Sequence, residues 1–154
     1  LYRLGRFIFH NQPKNHTRSL IELLYILKEG YHDFYVITSA NKEIVRGFLN
    51  CLSRDVRPKE ENIYASDGKF IDSDEKAKIV ESIKKKTNRT IIGIGDSRED
   101  KKALEKSDVC CIISSLPYKL MPIKSMEYKF ENLDSVKSFL SLIQLDYELH
   151  NLES

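Results

Sequence analysis

A short β-branched run ends in a glycine and two carboxylates: Thr90-Ile91-Ile92-Gly93-Ile94-Gly95-Asp96-Ser97-Arg98-Glu99-Asp100. Thr90 to Ile94 is apolar without polar alternation, the pattern of a strand covered on both faces. Gly95 allows a turn where a Cβ would crowd the chain. Asp96 then falls at the carboxyl end of the strand, the edge at which open α/β sheets hold their ligands. Asp100 follows four residues later, and one helical turn returns it to the same side. Two carboxylates facing one crevice repel each other, and a hard cation such as Mg²⁺ relieves that repulsion through oxygen ligands. A second reading has Asp96 capping the next helix and Asp100 as a solvated first-turn acid favoured by the helix dipole. A dinucleotide fingerprint is the weaker reading, because Arg98 stands where the third glycine of G-x-G-x-x-G belongs.

Strand and helix patterns alternate around this stretch. Arg6-Phe7-Ile8-Phe9 reads as a strand and Asn11 to His16, with Pro13, as a loop. Ser19 and Glu22 have capping-box spacing, Leu20, Leu23, Leu24 and Leu27 form one stripe, and Gly30 suits a helix end. Phe34 to Ile37 is a strand closed by Thr38 and Ser39, and a second amphipathic helix runs from Asn41. Ile63-Tyr64-Ala65 is a short strand before a turn at Ser66 to Lys69. Asp72 and Glu75 have capping spacing for a third helix with Ile79, Val80 and Ile83 inward. A short helix carries Ala103 and Leu104, and Val109 to Ile113 is a buried strand. Ser114 to Ser125, with Pro117 and Pro122, reads as a loop, Tyr128 to Phe130 as an edge strand, and Asp134 to Leu149 as a last helix with Val136, Phe139, Leu140 and Ile143 inward. This alternation predicts an α/β three-layer sandwich, a mostly parallel sheet with helices on both faces, in one domain over residues 1–154.

The net charge of +2 gives no ground for expecting nucleic acid or an anionic membrane as partner. No apolar run is long enough to span a bilayer. Cys51, Cys110 and Cys111 have neither C-x-x-C nor zinc spacing, and an odd number of thiols without a framework suits a reducing cytoplasm. Cys110 and Cys111 fall inside a strand and read as buried, inert thiols.

Three places supply polar groups to the carboxyl edge of a parallel sheet: Thr38 with Ser39, Lys76 at a helix start, and the pair Asp96 and Asp100. A hydroxyl and an ammonium neutralise phosphate oxygens, and a metal held by acids bridges phosphate to protein. Lys78 competes with Lys76 for the ammonium role.

In this order the motifs resemble the haloacid dehalogenase-like superfamily of phosphohydrolases. Val36-Ile37-Thr38-Ser39-Ala40-Asn41 is similar to its second motif, Glu75-Lys76-Ala77-Lys78-Ile79-Val80 to its third, and Gly93-Ile94-Gly95-Asp96-Ser97-Arg98-Glu99-Asp100 to its fourth. The resemblance covers roughly residues 17 to 140 and leaves no room for a large cap between Thr38 and Lys76. It implies a Rossmann-like (Rossmannoid) fold and Mg²⁺-dependent hydrolysis of a small phosphomonoester through an aspartyl-phosphate. In that chemistry Asp96 and Asp100 are the metal residues, Thr38 and Ser39 bind phosphate, and Lys76 balances charge between nucleophile and phosphate.

The family's first motif, Asp-x-Asp, is missing, since no Asp precedes Asp33. Either the nucleophile lies upstream of Leu1, with Arg3 to Thr17 as the flap that follows it, or Arg6 to Phe9 is the first strand and His10-Asn11-Gln12 replaces the motif. The second alternative makes the chain a catalytically dead relative, serving as a binding or scaffold module. The short gap from His10 to Thr38 favours the first.

Overall fold

The computed structural model describes residues 1–113, 126–130 and 132–141. They form a mixed α/β structure with helices α1 (Tyr2–His10), α2 (Lys14–Glu29), α3 (Lys42–Leu49), α4 (Ser73–Thr87), α5 (Lys101–Glu105) and α6 (133–141). The strands are β1 (Val36–Asn41), β2 (Ile63–Ser66), β3 (Ile92–Gly95), β4 (Val109–Ile113) and β5 (Met126–Phe130). β1 neighbours β2 in a two-stranded sheet, and β3, β4 and β5 form a second sheet in that order. Both pairings of the second sheet are parallel, with Gly95 level with Ile112 and Ile113 level with Phe130. Parallel pairing is as the alternation predicts; among the described residues it is spread over two sheets.

The chain divides into two compact units. The first holds Leu1–Val36, Ala40–Ala65 and helix α6; the second holds Ile37–Ser39 and Ser66–Asn132.

In the first unit, Leu24, Leu49, Leu52, Val56, Ile63 and Ala65 form the core, flanked by Phe9, Leu20, Phe34 and Phe48. The expected strand at Arg6 to Phe9 is instead part of α1. Three apolar residues in a row after Arg6 carry no period of their own. Tyr2, Gly5 and Phe9, three and four residues apart, supply the helical one, and the helix lays Gly5 against α3. A Cβ on Gly5 would lie 1.9 Å from the carbonyl oxygen of Ile44, and one on Gly47 would lie 2.0 Å from that of Tyr2. The two backbones touch through a pair of glycines. The flap expected over Arg3 to Thr17 is likewise helical for most of its length.

α2 starts five residues before the expected cap. Pro13, extended at φ −53 and ψ 135, precedes its first turn, and Ser19 sits inside the helix. The buried Ser19 hydroxyl lies 2.9 Å from the Asn15 carbonyl and 2.7 Å from Asp134 Oδ1 on α6. Gly30 ends the helix as expected. Lys137 of α6 pairs with Glu22 of α2, and Val136 and Leu140 are buried. The expected continuation of α6 to Leu149, including Ile143, lies outside the described residues, as does the expected loop at 114–125.

In the second unit, α4 buries Ala77, Val80 and Ile83, while Leu104, Cys110 and Ile112 form a small core. Cys110 and Cys111 are fully buried, and burial, aided by Cys110, pushes the Cys111 thiol up to about 11. These are inert thiols, as the strand pattern predicts. Among the described residues no helix is long and apolar enough to cross a membrane.

Candidate functional site

All five residues singled out by the motifs lie in the second unit: Thr38 and Ser39 in β1, Lys76 in the first turn of α4, Asp96 just after β3, and Asp100 at the end of a 3-10 turn, Arg98–Asp100. β1 starts two residues later and ends four residues later than expected, so Thr38 and Ser39 are within the strand, half-buried, rather than beyond it.

A closed set of hydrogen bonds fixes β1 to the approach of α4. The Ser39 hydroxyl donates to the Ile71 carbonyl at 2.6 Å. The Ser66 hydroxyl donates to the Ser39 carbonyl at 2.8 Å and accepts from the Ile71 amide at 3.0 Å. One residue further, Asp72 caps α4, its carboxylate accepting from the Glu75 amide at 2.8 Å as the spacing predicts. The proton of Ser39 is committed to this brace, so Ser39 holds the strand end in place, and Thr38 is the hydroxyl beside it.

Lys76 is the deeper of the two candidate lysines. Its side chain is 7% exposed, whereas that of Lys78 is 72% exposed and pairs with Glu75 at 3.6 Å. Lys76 Nζ donates to Asp100 Oδ1 at 2.8 Å. The other oxygen of Asp100 accepts from the backbone amides of Asp96 and Ser97, both at 3.2 Å, and from the Ser97 hydroxyl at 3.0 Å. Ser97 and Asp100 thereby make a reciprocal capping box at the start of the 3-10 turn. The cap of the 3-10 turn is Ser97, not Asp96, and Asp100 is drawn inward rather than solvated. Burial pushes the Asp100 carboxyl up. The Lys76 ammonium, the Asp96 amide and the Ser97 hydroxyl more than offset it, and the group lies below the usual carboxylate range.

Gly95 is needed for this packing. A Cβ there would lie 2.8 Å from Asp100 Cβ and 3.0 Å from its Oδ2. The crowding read from the sequence is therefore crowding against the second carboxylate of the same motif.

Asp96 is exposed at the carboxyl end of β3. Among the described residues no three His, Cys, Asp or Glu side chains cluster as a metal cage. Both oxygens of Asp100 already serve protein donors, so the residues present do not fit a resident metal held by protein ligands alone. A single exposed carboxylate meets a smaller demand: Mg²⁺ retains several waters and takes one or two carboxylates together with phosphate oxygens.

Sequence reasoning missed Ser97 and Ser66. Ser97-Arg98-Glu99-Asp100 carries the capping-box signature, so Ser97 was findable. Ser66 acts through contacts with Ser39 and Ile71 that no local pattern announces.

Comparison with family models, with curated proteins and with solved structures finds no match to this chain.

Proposed function

We propose that the chain is the phosphate- and metal-handling part of a haloacid dehalogenase-like phosphohydrolase acting on a small phosphomonoester through an aspartyl-phosphate. The observation that carries the reading is the buried Lys76–Asp100 pair at 2.8 Å. A cation in the first turn of a helix opposes the helix dipole, and its burial adds a desolvation cost. An ammonium kept there against both terms has a charge to balance. Asp100 directs it, and in this reading its other N–H groups serve phosphate oxygens.

In this reading Thr38 donates a hydrogen bond to the phosphoryl group. Lys76 neutralises charge between nucleophile and phosphate, and Asp96 is the protein's ligand to Mg²⁺ that arrives with the phosphate. Asp100 positions Lys76 and shapes the turn. The attacking carboxylate belongs to an Asp-x-Asp strand that the reading places before Leu1. A cytoplasmic enzyme with one mostly parallel sheet and helices on both faces goes with it.

A second reading, a non-catalytic binding or scaffold module, draws on a specific feature of the same turn: the oxygens of Asp100 are already taken up by Lys76, Asp96 and Ser97. The helical state of Arg6 to Phe9 removes the version in which those residues are the first strand.

Phosphate release from a panel of phosphomonoesters, by protein from the intact coding sequence with Mg²⁺ or with chelator, separates the two. The first reading expects Mg²⁺-dependent turnover that Asp96→Asn reduces at least about 100-fold, as loss of transition-state charge stabilisation does. Turnover unchanged in Asp96→Asn defeats the assignment. Phosphate binding without turnover of any ester favours the second.

A further inference from the structure

We propose that the groove between α1 and α2, in the first unit, binds a small organic anion with an aromatic or otherwise apolar body. The groove has a volume of about 610 Å³, within the range of small-ligand sites, roughly 300–1,000 Å³. Lys14, Arg18, Ile21 and Tyr25 line it at spacings of four, three and four, one stripe along α2. Phe9 and His10, at the end of α1, supply the facing wall. The stripe is cationic at one end and apolar at the other, which is the distribution of charge and carbon in an aromatic carboxylate.

Three further observations bear on the ligand's charge. The acid on the groove wall, Glu22, is paired with Lys137, which also meets Asp134 of α6 at 3.3 Å, and Asp134 in turn interacts electrostatically with Arg18. Lys14 and Arg18 are two cations on the groove wall against the one acid there, Glu22. The third is that α2 opens with Lys14, His16 and Arg18, has no acid in its first turn, and takes no side-chain cap from Pro13. Cations at a helix N-terminus work against the dipole, and a bound anion meets both the dipole and the cations. The rings are fixed on the protein side: Phe9 meets the His10 ring edge-on at 5.5 Å and the Phe48 ring at 5.1 Å. The planar guanidinium of Arg18 matches a carboxylate fork. The site is independent of the phosphate reading.

The test is titration of the ¹⁵N-labelled chain with 2-naphthoate and, in parallel, with neutral 2-naphthamide, followed by amide shifts. Saturable 1:1 binding of naphthoate is expected, with shifts centred on Lys14 to Tyr25. Naphthamide, and naphthoate on Arg18→Glu, should bind at least about tenfold more weakly, the scale of one lost charged contact. Tyr25→Ala should weaken both ligands. No saturable naphthoate binding, equal binding of the amide, or shifts centred elsewhere overturns the proposal. If Arg18→Glu disturbs folding, the acid–amide comparison on the unaltered chain still decides it.

Discussion

Asp100 holds Lys76 Nζ at 2.8 Å with one oxygen while the other closes the turn after β3. A single carboxylate thus ties the first turn of α4 to the Gly95–Asp96 turn. Side-chain exposures of 7% and 19% put the pair in the range where removing one partner strands a charge. Lys76→Met leaves an anion that still has the Ser97 and Asp96 donors, whereas Asp100→Ala leaves a buried ammonium without them. Both should destabilise, by about 3–5 kcal/mol for a fully stranded charge, with Asp100→Ala the worse. Urea unfolding of the two variants checks this; equal midpoints to the parent chain would show the pair contributes nothing.

The same carboxylate sets a pH dependence. Its folded-state pKa is lowered from the reference 3.8. A depressed carboxylate contributes stability that is full above its unfolded pKa and is lost as pH falls through the folded one. Asp108, lowered by the Ile91 amide and the Lys84 ammonium, titrates in the same direction. Stability should therefore be flat from neutral pH down to about 5 and fall below about 4, where the unfolded chain takes up protons first. Unfolding midpoints measured from pH 7 to 2 test it. A shallower acid limb is expected in Asp108→Asn, and an unchanged limb there removes Asp108 from the account.

What the sequence made legible was local. Asp72 and Glu75 announce the start of α4, Val109 to Ile113 announces β4, and Gly95 announces a close approach, because each signal lies within one turn of its effect. That Lys76 and not Lys78 would be buried against Asp100 was not legible. Both fit the motif, and only the direction of α4 relative to the turn at Asp100 decides. The pairing of strands into two sheets depends on partners far apart in sequence. At Arg6 to Phe9 the local signal pointed the wrong way, since an apolar run of three suits strand or helix, and the deciding contact is with Gly47, on another helix.

That contact yields a prediction with an unusual sign. An interior helical glycine changed to alanine ordinarily gains stability, about 1 kcal/mol by propensity. Gly47→Ala should lose it, because the new Cβ would stand 2.0 Å from the Tyr2 carbonyl oxygen, a backbone atom that cannot rotate aside. The expected loss is about 1–3 kcal/mol, the usual range for overpacking. Gly5→Ala, facing the Ile44 carbonyl, should behave alike. Thermal unfolding of both variants checks the pair, and a rise in midpoint for either would mean α1 does not rest on α3 as described.

Ser66 tests the brace at the end of β1. Its hydroxyl donates to the Ser39 carbonyl and accepts from the Ile71 amide, at 2.8 and 3.0 Å. Ser66→Ala removes both bonds and leaves two half-buried backbone groups to find water or go unpaired, a cost of about 1–3 kcal/mol. The loss should be local as well as global. Hydrogen exchange at the Ile71 amide should quicken more than at Ile112, which lies in β4 away from the brace. If Thr38 serves phosphate, loosening β1 should also weaken phosphate binding while Mg²⁺ affinity through Asp96 holds. Uniform quickening of exchange, with Ile71 no more affected than Ile112, would show that Ser66 stabilises the unit as a whole and does not brace this strand end.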